Sequence, residues 1–267
     1  MPRCTVIANW KMHGNQTRAW DLARAVRRLV GNRFGAAEVL LAPPFTSLEA
    51  VRRALAGSRL RLAAQNLYWQ PQGAFTGEVS ADMLRDAGCS HVIVGHSERR
   101  RLFGETNRDV GRKLGAALEA SLKPILCVGE TLEERRRGHT HRTLSAQLTG
   151  ALKGVPKSVI ESLTVAYEPV WAIGTGQHAT PAQVAETHAW IRRALARRFG
   201  TAPARAIPIL YGGSVNPDNA AELARVAEVD GVLVGGASLD HQSFAAIVKV
   251  FSTELSTVTG KTRTTDK

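Results

Sequence analysis

Leu163-Thr164-Val165-Ala166-Tyr167-Glu168-Pro169 is the stretch that decides how the chain is read. Its first five residues make a short β-branched and aromatic run suited to a buried strand, and the run stops at Glu168 because a residue before proline is pushed away from helical geometry. A carboxylate therefore stands at the mouth of a core element. Behind it come Val170-Trp171-Ala172-Ile173-Gly174-Thr175-Gly176, small residues around one large aromatic. That composition suits a lid able to swing over a ligand and shed water from it.

Working outward, the same unit of apolar strand, polar tip and amphipathic helix occurs eight times. Thr5-Val6-Ile7-Ala8 closes on Asn9-Trp10-Lys11 and is followed by a helix over Thr17 to Gly31; Val39 to Ala42 ends at Pro43-Pro44; Leu60 to Ala64 ends at Gln65-Asn66. Val92 to Gly95 ends at His96-Ser97-Glu98, Ile125 to Val128 at Gly129-Glu130, Ile207 to Tyr211 at Gly212-Gly213-Ser214, and Gly231 to Val234 at Gly235-Gly236. Continuous apolar strands alternating with helices predict a parallel sheet covered by helices, and eight units predict an α/β fold closed into a single (β/α)8 TIM barrel. An open doubly wound sheet is disfavoured, because no Gly-x-Gly-x-x-Gly follows the first strand and polar tips follow nearly every strand. In a barrel those tips meet at one rim.

At 267 residues and 44% hydrophobic composition, the chain can bury a large core. The barrel is expected over residues 1–251. Half of the residues from Ser252 to Lys267 are Ser or Thr, which predicts a disordered tail. Residues 65–78, with Tyr68, Trp69 and Phe75, are long and apolar enough to predict an interaction loop. No run suggests a signal peptide or a membrane anchor, and Cys4, Cys89 and Cys127 are widely spaced, so free thiols in a reducing cytoplasm are expected. The net charge of +12 comes from arginines spread over several helices, which points to solvated faces and away from specific nucleic-acid binding. A positive field also speeds capture of a small anion.

At the predicted rim stand a carboxylate (Glu168), an imidazole (His96), an ammonium (Lys11), an amide (Asn9) and two glycine pairs. Gly212-Gly213-Ser214 and Gly235-Gly236, after the seventh and eighth strands, expose backbone N–H groups suited to a phosphate. The chain has no His-Glu-x-x-His, no cysteine cluster and no paired carboxylates at ligand spacing, so no metal is expected, and Gly212-Gly213-Ser214-Val215-Asn216 is not a nucleophile elbow. A base, a neutral donor and a cation around a phosphate can move a proton beside a carbonyl and stabilise an enediolate, an aldose–ketose isomerisation that needs no cofactor. Lys11 is also the only lysine before Lys113 in a chain with 27 arginines among its 35 basic residues, which suggests a site wanting a compact ammonium.

Asn9-Trp10-Lys11-Met12, Gly95-His96-Ser97-Glu98-Arg99-Arg100, Ala166 to Gly176, Tyr211-Gly212-Gly213-Ser214-Val215 and Gly231 to Leu239 resemble the triosephosphate isomerase family over about residues 4–251. The resemblance implies interconversion of dihydroxyacetone phosphate and D-glyceraldehyde 3-phosphate, in glycolysis and gluconeogenesis, by a soluble homodimer. By position it implies Glu168 as catalytic base, His96 as a neutral electrophile shuttling protons between the substrate oxygens, and Lys11 and Asn9 as groups that hold the substrate. Gly174, Ser214, Gly235 and Gly236 then contact the phosphate, Glu98 supports Lys11, and Ser97 holds Glu168 while the lid is open. Thr76 and Glu78 are implied as dimer contacts, near Asn9 and Arg99 of a second copy. Ser97-Glu98-Arg99 can open a helix whose N-terminal field disfavours imidazolium, in agreement with a neutral His96.

Ala8 stands where the family more often has glycine, and Gln177-His178-Ala179 departs from the usual far hinge of the lid. Two other readings remain open: an isomerase of a four-carbon ketose phosphate, and a binding protein on the same scaffold that has lost catalysis. The intact set of Lys11, His96 and Glu168 speaks against the second.

Overall fold

Eight strands alternate with helices in the computed structural model, which describes residues 4–32, 34–173 and 178–261. They are β1 (Thr5–Asn9), β2 (Glu38–Ala42), β3 (Arg61–Ala64), β4 (His91–Val94), β5 (Lys123–Val128), β6 (Thr164–Tyr167), β7 (Ile209–Tyr211) and β8 (Gly231–Val234). Each pairs in parallel with the next, and β8 pairs with β1 to close the barrel. The (β/α)8 barrel expected from the sequence is the fold observed.

Strand side chains divide into two cores, as the twofold period of a strand requires. Ile7, Leu40, Ile93, Ile125, Cys127, Ala166, Leu210 and Leu233 point inward and fill the barrel, while Val6, Val39, Leu41, Val92, Val94, Leu126, Val165 and Val232 pack against the helices outside. Helix starts are fixed by local chemistry. Asn15 accepts from the Arg18 N–H, and Thr106, Thr131 and Thr180 each form a reciprocal capping box with Asp109, Glu134 and Gln183. Such caps satisfy the free N–H groups of a first turn, so each helix begins where its strand tip needs it to.

Two stretches outside the repeat behave differently. Residues 70–78 are all exposed, with Tyr68 stacked on Trp69 at 4.1 Å and beside Phe75 at 4.6 Å between ring centres. The final helix spans His241–Lys261. It holds no proline, and Ser and Thr lower helix propensity by only about 0.5 kcal/mol each, so nothing stops the helix from running on. Residues 262–267 lie outside the described residues.

At the barrel end opposite the strand tips, Glu38 gathers cations from three neighbouring strands. Its carboxylate lies 3.1 Å from Arg61 Nε, 3.4 Å from His91 Nε2 and 3.9 Å from Lys123 Nζ. Burial alone would raise its pKa, but the hydrogen bond and charge of His91 and the charges of Lys123 and Arg61 outweigh it and bring the carboxyl down from 4.5 to about 2. A depressed carboxyl stabilises the fold above its ordinary pKa and loses that contribution as pH falls through the folded value. Glu38→Gln should therefore lower Tm at pH 7 by roughly 2–6 °C, with the gap to the wild type closing as pH falls from about 4.5 to about 2. Thermal melts across that range check this, and a gap that does not change with pH would refute it.

Candidate active site

The strand tips converge on a cavity of about 290 Å³ lined by Asn9, Lys11, His96, Glu168, Ile173, Gly212, Gly213, Ser214, Val215, Asn216, Leu233, Gly235, Gly236 and Ala237. The site residues singled out in the sequence that fall on the described chain are thus brought to one place, apart from Ser97 and Glu98, which stand just behind the wall, and the loop and interface residues. Gly174 lies outside the described residues, as does Gln177 of the far hinge.

Glu168 is 1% exposed at the end of β6. Its Oε1 lies 3.0 Å from His96 Nε2, and its Oε2 accepts from the Ser97 N–H at 2.9 Å. Close packing holds the backbone beneath it. The Glu168 N–H donates to Val128 O, and any Cβ on Gly129 would come within 1.7 Å of Glu168 O, so only glycine fits at that tip of β5. Burial would push the Glu168 carboxyl up; the charge and hydrogen bond of His96, the Ser97 N–H and the charge of Lys11 more than offset that, and it sits below its ordinary value. Held against Ser97, the carboxylate is a stabilised and therefore weak base.

His96 caps the helix Ser97–Phe103, its Nδ1 accepting from the Glu98 N–H at 3.2 Å. An acceptor at Nδ1 places the ring proton on Nε2, facing Glu168, and the neutral tautomer satisfies both contacts. Burial also favours the neutral ring, whereas the adjacent Glu168 carboxylate favours the cation and raises the His96 pKa while the two rest together. Once the carboxylate moves off, that upward pull is removed.

Lys11 follows β1 with φ 49°, a left-handed conformation that costs a residue other than glycine about 1 kcal/mol or more. Its Nζ is 2.5 Å from Glu98 Oε1, its N–H donates to Asn9 Oδ1 at 3.1 Å, and its carbonyl accepts from Gln65 Nε2 at 2.9 Å. The same Gln65 amide donates to Ala42 O at 2.8 Å, tying the tips of β1, β2 and β3 together. Gln65 had been read from the sequence only as the polar end of a strand. Its place at the tip of β3 was legible; its partner was not.

Across the cavity, the N–H groups of Gly213 and Ser214 have no acceptor among the described residues. Gly236 opens the short 3-10 turn Gly236–Leu239. A row of unclaimed N–H groups on this side, opposite Glu168 and His96, is an arrangement that favours an anion.

The turn Val170–Ala172 after β6 is anchored through Glu130, a residue given no role from the sequence. Its Oε1 accepts from Tyr167 Oη, Trp171 Nε1 and Arg135 Nη1, each at 3.0 Å. Thr76 and Glu78 are exposed and have no side-chain partner among the described residues, while Arg99 pairs within the chain with Glu105 at 3.1 Å.

The model of the family described as triosephosphate isomerase matches residues 4–251. The chain belongs to the triosephosphate isomerase family. It is 52% identical over 248 residues to the triosephosphate isomerase of Moorella thermoacetica, covering 93% of this chain and 98% of that one. It is 50% identical over 250 residues to that of Magnetococcus marinus, with the same coverage. Among solved structures, the triosephosphate isomerase of Bartonella henselae superposes with a TM-score of 0.85 at 40% identity over 93% of this chain and 99% of that chain. The triosephosphate isomerase resemblance read from the sequence is thereby shown, and with it the enzyme class of isomerase.

Because Gln65 holds the strained carbonyl of Lys11, Gln65→Leu should release that tip and cost on the order of tenfold in kcat/KM. A coupled isomerase assay with a Tm measurement checks this; unchanged kcat/KM would mean that Lys11 holds its place without Gln65.

Proposed function

We propose that the protein interconverts dihydroxyacetone phosphate and D-glyceraldehyde 3-phosphate through an enediolate, the reaction that serves glycolysis and gluconeogenesis, and that it does so in the cytoplasm as a homodimer. The observation that carries the reading is the placement of a carboxylate, an imidazole N–H and an ammonium on one wall of a cavity whose other wall presents free backbone N–H groups. Family membership and the names of relatives at about 50% identity support it, and do not favour a tetrulose phosphate as substrate.

Glu168 takes the proton from the carbon beside the carbonyl, the electron pair of that C–H bond forms the carbon–carbon double bond, and the π pair of the carbonyl moves onto its oxygen to give the enediolate. His96 donates from Nε2 to that oxygen and moves a proton between the two substrate oxygens; Lys11 and Asn9 hold them and oppose the negative charge that builds there. Glu168 then returns its proton to the neighbouring carbon. Ser214, Gly235, Gly236 and Gly174 take the phosphate, Glu98 orients Lys11, and Ser97 holds the carboxylate in its retracted position. Leaving the Ser97 N–H removes one of the interactions that depress the Glu168 pKa, so the carboxylate becomes a stronger base as it reaches the substrate.

Assembly completes the reading. The aromatic loop at residues 65–78, exposed from residue 70 onward, docks beside Lys11 of a second copy, with Thr76 near Asn9 and Glu78 facing Arg99. Replacing Gly73 to Gly77 with a short polar turn should give monomers of low activity. Sedimentation showing a fully active monomer would overturn this.

Glu168→Asp tests the base. It keeps the acid but withdraws it by about one carbon–carbon bond, and a misplacement on the order of 1 Å should cost on the order of 10²-fold in kcat, with KM nearly unchanged because phosphate recognition is untouched. An Asp variant that kept kcat and raised only KM would make Glu168 a binding residue.

A further inference from the structure

Arg100 sits at the fourth position of the helix Ser97–Phe103, yet its guanidinium folds back beneath the strand tips and away from solvent. Nε donates to Gly95 O at 2.7 Å, Nη1 to Asn107 Oδ1 at 2.6 Å and Nη2 to Cys127 O at 3.4 Å. All three acceptors are neutral, and no carboxylate among the described residues pairs with it. A half-buried cation spent on neutral carbonyls is costly unless its geometry does something that a hydrocarbon could not.

The residues it ties are informative. Gly95 immediately precedes His96 and adopts φ 71°, the turn that carries β4 into the helix. A Cβ there would meet Arg100 Nη2 at 2.8 Å, so the fork lies directly against this turn. Cys127 precedes Val128, whose carbonyl accepts from the Glu168 N–H at 2.8 Å. One planar group thus joins the turn that presents His96 to β5, the neighbouring strand whose Val128 carbonyl holds the Glu168 N–H, and Asn107 fixes the plane of the fork from the next helix.

We propose that Arg100 is a positioning residue that sets the spacing between His96 and Glu168, an inference that rests on the isomerase reading above. Only a planar fork reaches Gly95 O, Cys127 O and Asn107 Oδ1 together; a lysine ammonium on a flexible stem cannot hold all three in one plane. Burial pushes the Arg100 pKa down, opposed by the charges of Glu105 and Glu168, which places the guanidinium within electrostatic reach of the catalytic glutamate without touching it.

Arg100→Met, Arg100→Lys and Asn107→Ala test this, each assayed for kcat and KM on D-glyceraldehyde 3-phosphate beside Tm, with ¹⁵N NMR of the His96 ring in the ligand-free protein. Both Arg100 variants should lose about tenfold or more in kcat with KM within about twofold, because spacing matters to the transition state more than to phosphate binding. Asn107→Ala, which keeps the cation and frees Nη1 together with the Ala146 carbonyl, should lose about threefold in kcat on the same grounds. The His96 ring signal should shift in all three. Recovery of kcat by Arg100→Lys would show that charge alone matters and would overturn the inference, as would losses confined to KM or Tm. Should the Arg100 variants fail to fold, wild-type kcat and an unmoved His96 signal in Asn107→Ala would overturn it equally. A wild-type chain without isomerase activity would overturn the functional reading, and the NMR comparison would then decide this one separately.

Discussion

The structure depends on keeping a buried carboxylate charged. Glu168 has almost no contact with solvent, and burial by itself drives a carboxyl toward its neutral form. Three neighbours reverse that: His96 at one oxygen, the Ser97 N–H at the other, and the field of Lys11. The first two come from the tip of β4 and the third from the tip of β1. Barrel closure is what brings the ends of β1, β4 and β6 into one cavity, so the depressed pKa of one residue is a property of the whole fold.

The same constraint accounts for the unusual backbone around it. Gly129 admits the Glu168 carbonyl where no side chain would fit, and Gly212 has its N–H on Tyr167 O with its α-carbon beside the Glu168 side chain. Lys11 accepts a left-handed φ so that its ammonium can turn back into the cavity, and Gln65 and Asn9 hold it there. Strain at such a position persists only where surrounding contacts over-determine it.

Much of this was legible in the sequence, because strands and their tips carry local signals. Apolar runs ending in Asn9, His96, Glu168 and Gly212 gave strand positions within two residues of those observed and, through the barrel, predicted that the tips would meet. What was not legible depends on partners distant in sequence. Glu130 looked like one more polar tip, and nothing near it announces that Tyr167, Trp171 and Arg135 would converge on one oxygen. Arg100 stood in the Gly95-to-Arg100 motif without a role of its own, since a cation bound to main-chain carbonyls leaves no charge pattern to find. Past Ser252, composition predicts whether a segment can make a core, and says little about whether a helix already formed will continue through it.

Charge in the cavity also bears on how an anion is recognised there. Lys11 is paired with Glu98 and the neutral His96 ring faces Glu168, so neither brings an unpaired positive charge to the cavity. A phosphate dianion therefore cannot rely on a free side-chain cation on its own side of the cavity, and the donors it meets are backbone N–H groups. Gly213 and Ser214 leave theirs unclaimed, and such dipoles are fixed by the fold and need no rearrangement when the anion arrives. In the proposed reading, Lys11 acts where charge develops, at the oxygen end of the substrate. The division places permanent charge against neutral dipoles and transient charge against the ammonium, so less of the cation's field is spent on binding the ground state and more remains for the enediolate.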